Sequence, residues 1–390
     1  MKLLRSVPSG IIVYIFAVQI ASASVILKQV ALPSGEGVVV ASAFSPDSSR
    51  VAVLRKVAVP NRTGPKYAMQ IIELSSGQEL RRAEVLSEEP PDLATNAHFA
   101  VYSPDGRYLL LATRGSNVLS MIDASTLQPR KRIALHSDAD ARTPLGQGHR
   151  DFSGAVSLAS SSRGDWFAVL THDELKGNEV FVGSFSFGQI SKSWSLGKGR
   201  TATQLGQTSI ALSDDGSIVA VSVLPDRNRS PKGFNNLLLY RSNGGKMVKS
   251  FRTDGLIGQL LLLPGGTVLA ARIDTPGLFS KKTCIERWSV SSGIQDGKFC
   301  DPERTVSAVL AASSAGDRLV GFGSHIRKST EGQVYSATGR VDVWDMQSGN
   351  LIASLEMPRF VPYLQMSANG EWIMAGQMLM QLSIRNGLTR

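Results

Sequence analysis

A short pattern of two apolar strands around a small polar turn recurs seven times along the chain. The segment "VYSPDGRYLLLA" at 101–112 shows it most clearly. Successive copies lie 50 to 58 residues apart, and the position of Gly106 is filled in turn by Ser48, Gly106, Gly164, Gly216, Gly266, Gly316 and Gly370. A repeat of this length constrains the fold strongly, because each unit is a supersecondary element that buries its apolar face against its neighbours.

Each turn is followed, at a variable distance, by a second strand–turn–strand segment, as at 69–80, 118–129 and 341–352. No helical period persists outside the first residues. Two hairpins per repeat predict an all-β fold: a seven-bladed β-propeller of four-stranded antiparallel blades over residues 24–390. The predicted first-hairpin turns lie near 45–48, 103–106, 161–164, 213–216, 263–266, 313–316 and 367–370.

The seventh unit is one strand short, because the chain ends after "MQLSIRNGLTR". The apolar, extended segment at 24–33 has no hairpin partner of its own. We expect it to pair beside residues 378–384, so that the N-terminal strand closes the ring and leaves no open sheet edge.

The first residues are typical of an export signal. They combine the basic "MKLLR", the apolar "IIVYIFAVQI" and the small residues 21–23. A membrane anchor is the alternative, but the apolar run is shorter than the roughly 20 residues that span a bilayer. We therefore predict a signal peptide over 1–23, cleavage near Ala23, and a periplasmic or secreted mature protein without a transmembrane segment. Cleavage would lower the formal charge from +10 to +8.

The repeats resemble those of bacterial WD40-like and YVTN-type β-propeller proteins over nearly the whole mature chain. Val343-Trp344-Asp345 stands at the Trp-Asp position of a WD repeat, and "SPDG" at 103–106 and "SPD" at 45–47 match the family's first turn. One blade alone carries Trp-Asp, and no Gly-His dipeptide precedes a blade, so the Asp–His–Ser–Trp network of WD40 blades is not expected. The resemblance implies a propeller and, since such folds host many tasks, no particular function.

Two cysteines flank one predicted hairpin, "CIERWSVSSGIQDGKFC". Folding this hairpin at its Ser-Ser-Gly turn brings Cys284 opposite Cys300. In an exported protein we expect a disulfide between them, the alternative being two separate buried thiols.

Long connections between the second and third strands (B–C connections), basic in blades 1, 4, 5 and 6 and acidic in blade 3, are the most irregular feature of the repeats. They are predicted at 55–66, 171–179, 224–235, 272–283 and 324–339. In such propellers these connections share one face with the D–A connections, and insertions on one face often mark the binding face. The predicted face is basic over blades 4 to 6 and 1, and acidic over blades 2 and 3. The alternative is ordinary solvated loop charge. The predicted partner-binding residues are Arg227, Arg229, Lys232, Lys281, Lys282, Arg327 and Lys328.

The favoured function is an exported, non-catalytic scaffold that binds a protein or an anionic envelope polymer through this face. No catalytic residue, metal site or cofactor is predicted, because none of the five histidines makes a ligand-spaced pair with another His or Cys, and no nucleophile or phosphate-binding motif occurs. Nucleic acid is disfavoured by the predicted export and by the lack of aromatic residues interleaved with basic ones. The oligomeric state stays open.

The alternative is a propeller enzyme, of the lactonase, lyase or redox-cofactor kind, with a site at the channel mouth. Such a site needs converging carboxylates, histidines or a metal. The candidates cluster near blades 2 and 3 and are Asp92, His98, His149, Asp151, His172, Asp173 and Glu174.

Overall fold

The structure is a computed structural model of the 390-residue chain. It describes residues 24–33, 35–58, 66–86, 98–113, 115–135, 154–173, 177–197, 210–223, 237–252, 256–273, 283–301, 304–328, 334–357, 361 and 363–385. The predicted signal peptide lies outside them. Within the described part of the chain, no helix is long and apolar enough to cross a membrane.

The described strands form seven antiparallel sheets of four strands each, as the repeat predicts. We name the strands of each blade A to D, from the inside of the ring outward. Blades 1 to 3 contain β2 (Val38–Phe44), β3 (Arg50–Val57), β4 (Lys66–Glu73) and β5 (Glu79–Leu86); β6 (His98–Tyr102), β7 (Tyr108–Thr113), β8 (Val118–Asp123) and β9 (Pro129–Ala134); β10 (Gly154–Ser160), β11 (Trp166–Asp173), β12 (Gly177–Ser184) and β13 (Gln189–Gly197).

Blades 4 to 7 follow the same order along the chain. They contain β14 (Ile210–Leu212), β15 (Ile218–Ser222), β16 (Leu237–Arg241) and β17 (Met247–Phe251); β18 (Leu256–Leu263), β19 (Thr267–Ile273), β20 (Thr283–Ser289) and β21 (Gln295–Asp301); β22 (Arg304–Ala312), β23 (Arg318–Lys328), β24 (Val334–Asp345) and β25 (Leu351–Met357); β26 (Leu364–Met366), β27 (Trp372–Ala375), β28 (Met378–Arg385) and, from the other end of the chain, β1 (Ser24–Val30).

The seven A strands surround a central channel. Each contacts the A strand of the next blade, and β26 of blade 7 contacts β2 of blade 1, which completes the circle. The hydrophobic core is divided accordingly into seven clusters, one in each space between adjacent blades. Strand side chains alternate between the two faces of a sheet, so each blade contributes to the cluster on either side of it.

The ring is closed as predicted. Strand β1 pairs antiparallel with β28 from Ser24 opposite Arg385 to Val30 opposite Leu379. Leu27 of β1 is 8% exposed and belongs to the cluster between blades 6 and 7. The N-terminal strand β1 therefore completes the last blade, and the exposed edge that β28 would otherwise present is paired.

A buried arginine holds the segment that joins this closing strand to blade 1. Arg55 of β3 is only 7% exposed and donates from Nε to Gln70 Oε1 at 2.5 Å. Its other nitrogens donate to the carbonyl oxygens of Gly37 at 3.4 Å and Pro33 at 3.5 Å. Burial, followed by the charge of Arg82, lowers the pKa of Arg55.

The remaining hydrogen bonds of Gln70 carry this network to the surface of the blade. Gln70 Nε2 donates to Glu79 Oε2 at 2.6 Å, and Arg82 donates to both oxygens of the same carboxylate. The hydrogen bond from Arg82 and, against the effect of burial, the bond from Gln70 lower the pKa of Glu79. The buried cation thus has polar partners, as a buried charge requires.

Four of the predicted B–C connections are shorter than the sequence suggested, and the one in blade 5 spans 274–282. Strands β3 and β4 include Arg55, Lys56 and Lys66, so the blade 1 connection spans 58–65. The blade 3 connection spans only 174–176, and in blade 6 the ladder continues until Lys328 pairs with Val334. By extending the hairpins, these polar segments form hydrogen bonds through their backbone N–H and C=O groups. The pattern of side chains in the sequence did not indicate this pairing.

Candidate functional site

A serine anchors the A–B turn in six of the seven blades. Its hydroxyl accepts a hydrogen bond from the amide five residues later, at 2.9–3.1 Å. It also donates across the turn, to a carboxylate in blades 1, 2, 4 and 6. The six serines are Ser45, Ser103, Ser161, Ser213, Ser313 and Ser367. Blade 5 has Leu263 at this position, followed by Pro-Gly-Gly.

The blade 2 turn shows the role of Asp105. Its Oδ1 accepts from Ser103 Oγ at 2.6 Å and from the Arg107 amide at 3.0 Å, while Oδ2 accepts from Arg107 Nε at 2.5 Å. Burial opposes ionisation, but these hydrogen bonds outweigh it and lower the pKa of Asp105. Gly106 takes a φ of 72°, which glycine adopts without strain. Asp105 therefore stabilises the turn, as the replacement of this residue in other repeats indicates.

The residue after each anchoring position lines the mouth of the central channel. The same turn position in all seven blades supplies Pro46, Pro104, Ser162, Asp214, Pro264, Ser314 and Ala368. They border a cavity of about 680 Å³ at the end of the ring where the A–B turns lie. Because each turn is held by hydrogen bonds and backs onto a sheet, this rim is rigid.

Hydrogen bonds between neighbouring turns tie the rim together. The amides of Arg163 and Gly164 donate to the carbonyl of Asp214, and the Arg163 guanidinium pairs with the Asp214 carboxylate. The Asn369 amide donates to Ser48 Oγ at 3.0 Å, linking blade 7 to blade 1. Ser48 is one of two described non-glycine residues with positive φ, at 57°. Its side chain thus joins the two ends of the propeller.

A narrower cavity of about 260 Å³ lies deeper in the channel, between the A strands of blades 3 to 7. Its wall presents both polar and apolar surface, with Leu260, Leu262 and Met366 among the apolar lining residues. Gln259 is buried there and bonds to both backbone groups of Leu310, at 2.5 and 2.7 Å, which links blade 5 to blade 6. Gln365 is half-buried and also lines the cavity.

The described channel lining holds few groups that could move a proton. Asp214 and Arg163 are paired with each other. Tyr102 is buried beside the channel mouth. Burial raises the pKa of its hydroxyl well above the usual value of a tyrosine. The described lining therefore offers hydrogen-bonding and apolar groups to a ligand.

The predicted partner-binding residues are divided by the structure. Arg227, Arg229, Lys232, Lys281 and Lys282 lie outside the described residues. Arg327 and Lys328 are the last two residues of strand β23, where they pair with Tyr335 and Val334 of β24. They therefore lie in a strand and not in a loop as predicted. The connections themselves begin and end at the same edge of the ring, because all seven B strands run in the same sense relative to the channel.

The residues of the alternative enzymatic site are also divided. His98 begins the channel strand β6, and His172 and Asp173 end β11, the second strand of blade 3. His172 Nδ1 lies 2.8 Å from Asn178 Oδ1 and is hydrogen-bonded to it. Asp92, His149, Asp151 and Glu174 lie outside the described residues. Among the residues that the structure describes, no group of three or more His, Cys, Asp or Glu could hold a metal.

The two cysteines occupy facing positions in blade 5. Strand β20 pairs with β21 so that Cys284 is directly opposite Cys300. The backbone register is therefore the one that the predicted disulfide requires, and the disulfide itself stays a prediction.

Comparison with known proteins identifies the fold. The chain is similar to a solved structure described as "Structure of U3-55K", with 14% identity and a TM-score of 0.60, over 91% of this chain and 98% of that one. It is also similar to one described as "Crystal structure of RRP9 WD40 repeats", with 13% identity and a TM-score of 0.61, over 92% and 98%. No family model and no curated protein matches the sequence. At this identity the likeness establishes a WD40-type propeller fold alone.

Proposed function

We propose that this chain is an exported, non-catalytic β-propeller scaffold that binds a protein or an anionic envelope polymer through the face of its long B–C connections. The observation that carries the proposal is the contrast between the two ends of the ring. The A–B turns have nearly constant length and serine-anchored geometry. The B–C connections range from 376–377 in blade 7 to 223–236 in blade 4.

The frame can hold variable loops because its strands are paired and packed among themselves. Every sheet is paired through its four strands, and every space between blades holds its own apolar cluster. Long connections in a compact domain are commonly functional, and loops on a rigid scaffold can recognise a partner without disturbing the core. The proposal of export rests on the sequence of residues 1–23.

Basic residues favour the sector over the adjacent blades 4 and 5. The connections at 223–236 and 274–282 carry Arg227, Arg229, Lys232, Lys281 and Lys282, against one aspartate each, Asp226 and Asp274. Exposed charges of one sign attract an anionic partner and make the association sensitive to salt. This sector is therefore the proposed contact for an acidic protein surface or an anionic polymer.

Co-sedimentation of the mature protein with cell-envelope fractions tests the proposal. We expect binding that weakens as salt rises, and that is reduced severalfold when Arg227, Arg229, Lys281 and Lys282 are changed to Gln. The matched control removes four exposed positive charges elsewhere, at Arg81, Lys192, Arg241 and Lys246, and should bind as the wild type does. Equal binding by the two variants would show that the B–C sector is not the contact.

A further inference from the structure

A cleft of about 570 Å³ lies between blades 1 and 2, at the end of the ring opposite the B–C connections. Its walls are the A–B turn of blade 1 at 45–50, the A–B turn of blade 2 at 102–108, and the C–D turn of blade 2 with Arg130 just after it. Ser45, Pro46, Tyr102 and Pro104 line both this cleft and the channel mouth. The cleft therefore runs outward from the channel mouth between two blades.

The three carboxylates in the cleft accept hydrogen bonds from residues of their own turns. Asp47 accepts from Ser45 and Ser49, as Asp105 accepts from Ser103 and Arg107. In the C–D turn, one oxygen of Asp123 accepts three hydrogen bonds, from the Ser125 amide and hydroxyl and the Thr126 amide. All three pKa values are lowered from their usual range, so these groups stay ionised and hydrogen-bonded within the turns.

The three arginines of the cleft differ in whether they are paired with a carboxylate. Arg107 pairs with Asp105 and lies over the ring of Tyr108, 5.5 Å from its centre. Arg50 and Arg130 are exposed, and neither guanidinium forms a hydrogen bond or a close ion pair with another described residue, although the charge of Arg50 helps to lower the pKa of Asp47. Although three arginines and three aspartates balance formally, each aspartate accepts hydrogen bonds within its own turn, while two guanidinium groups keep their donors. An arginine in this state suits the bidentate binding of a carboxylate.

Apolar surface lies beside these donors. Pro46 and Pro104 border the cleft on the channel side, and Tyr108 and Ala124 border it on the side of blade 2. The volume falls within the range of sites that enclose several side chains or a small ligand. Cationic donors next to a rigid apolar wall, in an elongated space, fit a peptide with an acidic and an apolar side chain better than they fit a bare anion.

We propose that this cleft binds an acidic peptide segment of a partner protein. A Glu or Asp carboxylate of the segment is held by Arg50 and Arg130, and a neighbouring apolar side chain packs against Pro46 and Tyr108. The site lies at the opposite end of the strands from the B–C face. It is independent of the function proposed for that face, and the propeller could hold partners at both ends.

Selection of short peptides from a random displayed library on the immobilised full-length protein tests this site. We expect enrichment of peptides with Asp or Glu next to an apolar residue. Measured by fluorescence anisotropy, a selected peptide should bind about tenfold more weakly to Arg50→Gln/Arg130→Gln, because charge-assisted hydrogen bonds are lost. The control Arg81→Gln/Arg241→Gln removes two exposed charges from outer positions of blades 1 and 4 and should retain wild-type affinity.

Two further measurements distinguish recognition of a peptide from binding of a bare anion. Inorganic phosphate and acetate serve as bare-anion probes; we expect them to compete only weakly with the peptide. Arg50→Lys/Arg130→Lys keeps the charge and should bind at an intermediate level if bidentate geometry matters. The proposal is overturned by selection without acidic residues, by equal affinity of the Gln variant and its control, or by complete competition at millimolar phosphate. The B–C quadruple variant should bind the peptide normally, which separates this result from that of the first proposal.

Discussion

Ser103 shows how one residue type determines the geometry of the channel mouth. Its hydroxyl is 1% exposed, accepts from the Tyr108 amide at 2.9 Å and donates to Asp105 at 2.6 Å. The amide and the carboxylate are both strong hydrogen-bonding groups, and a buried one that loses its partner lowers stability. The same arrangement in blade after blade places a small residue at the rim each time.

Changing Ser103 to Ala should destabilise the protein by about 1–3 kcal/mol, since the buried Tyr108 amide would lose its acceptor. Urea unfolding followed by tryptophan fluorescence measures this change. The control is Ser125→Ala at an exposed turn position, for which we expect a smaller loss. If Ser103→Ala unfolded at the same urea concentration as the wild type, the serine would not anchor the turn.

The sequence contains the signal for these serines, since a Ser precedes the turn by the same interval in six repeats. The interpretation centred on the glycine and aspartate positions did not use it. The buried role of Arg55 is harder to recognise. Arg55 lies on the same face of β3 as the buried Val51 and Val53, but an arginine near a strand end is usually exposed. Its hydrogen-bond partners Pro33, Gly37 and Gln70 are distant in sequence and come together only on folding.

At the scale of the element, the closing strand β1 is the part that the sequence predicts best. Counting strands left one vacancy at the C-terminus and one unpaired apolar segment at the N-terminus, and the structure pairs them. The extension of β23 and β24 was not predicted, because its polar residues lack the alternation that marks a half-buried strand. Their pairing depends on continuing a ladder that begins in the core.

Removal of residues 24–33 from the mature protein should lower its melting temperature markedly, because β28 would keep only its pairing with β27 and Leu27 would leave the core. Leu27→Ala is the milder form of the same change and should cost about 2–5 kcal/mol. Differential scanning calorimetry measures both, and a Val38→Ala variant at an exposed site is the control. An unchanged melting temperature after truncation would contradict closure by β1.

At the scale of the whole molecule, the fold and the function proposed for the B–C face depend on different parts of the chain. The repeating segments form the ring, and their regularity makes the architecture readable from sequence. The B–C connections carry no common pattern, so their length and charge could be noted but their conformation could not be derived. The cleft between blades 1 and 2 was also not foreseen, because it depends on how two adjacent turns face each other.

Cross-linking mass spectrometry of the mature protein, incubated with its native envelope extract, tests the central claim most directly. The claim is that this propeller is a scaffold that holds a partner on the face of the long connections. We predict cross-links to one partner concentrated at Lys232, Lys281 and Lys282 and lost at high salt. Cross-links confined to lysines away from that face, such as Lys192 in β13 and Lys246 in the C–D turn of blade 4, would contradict it.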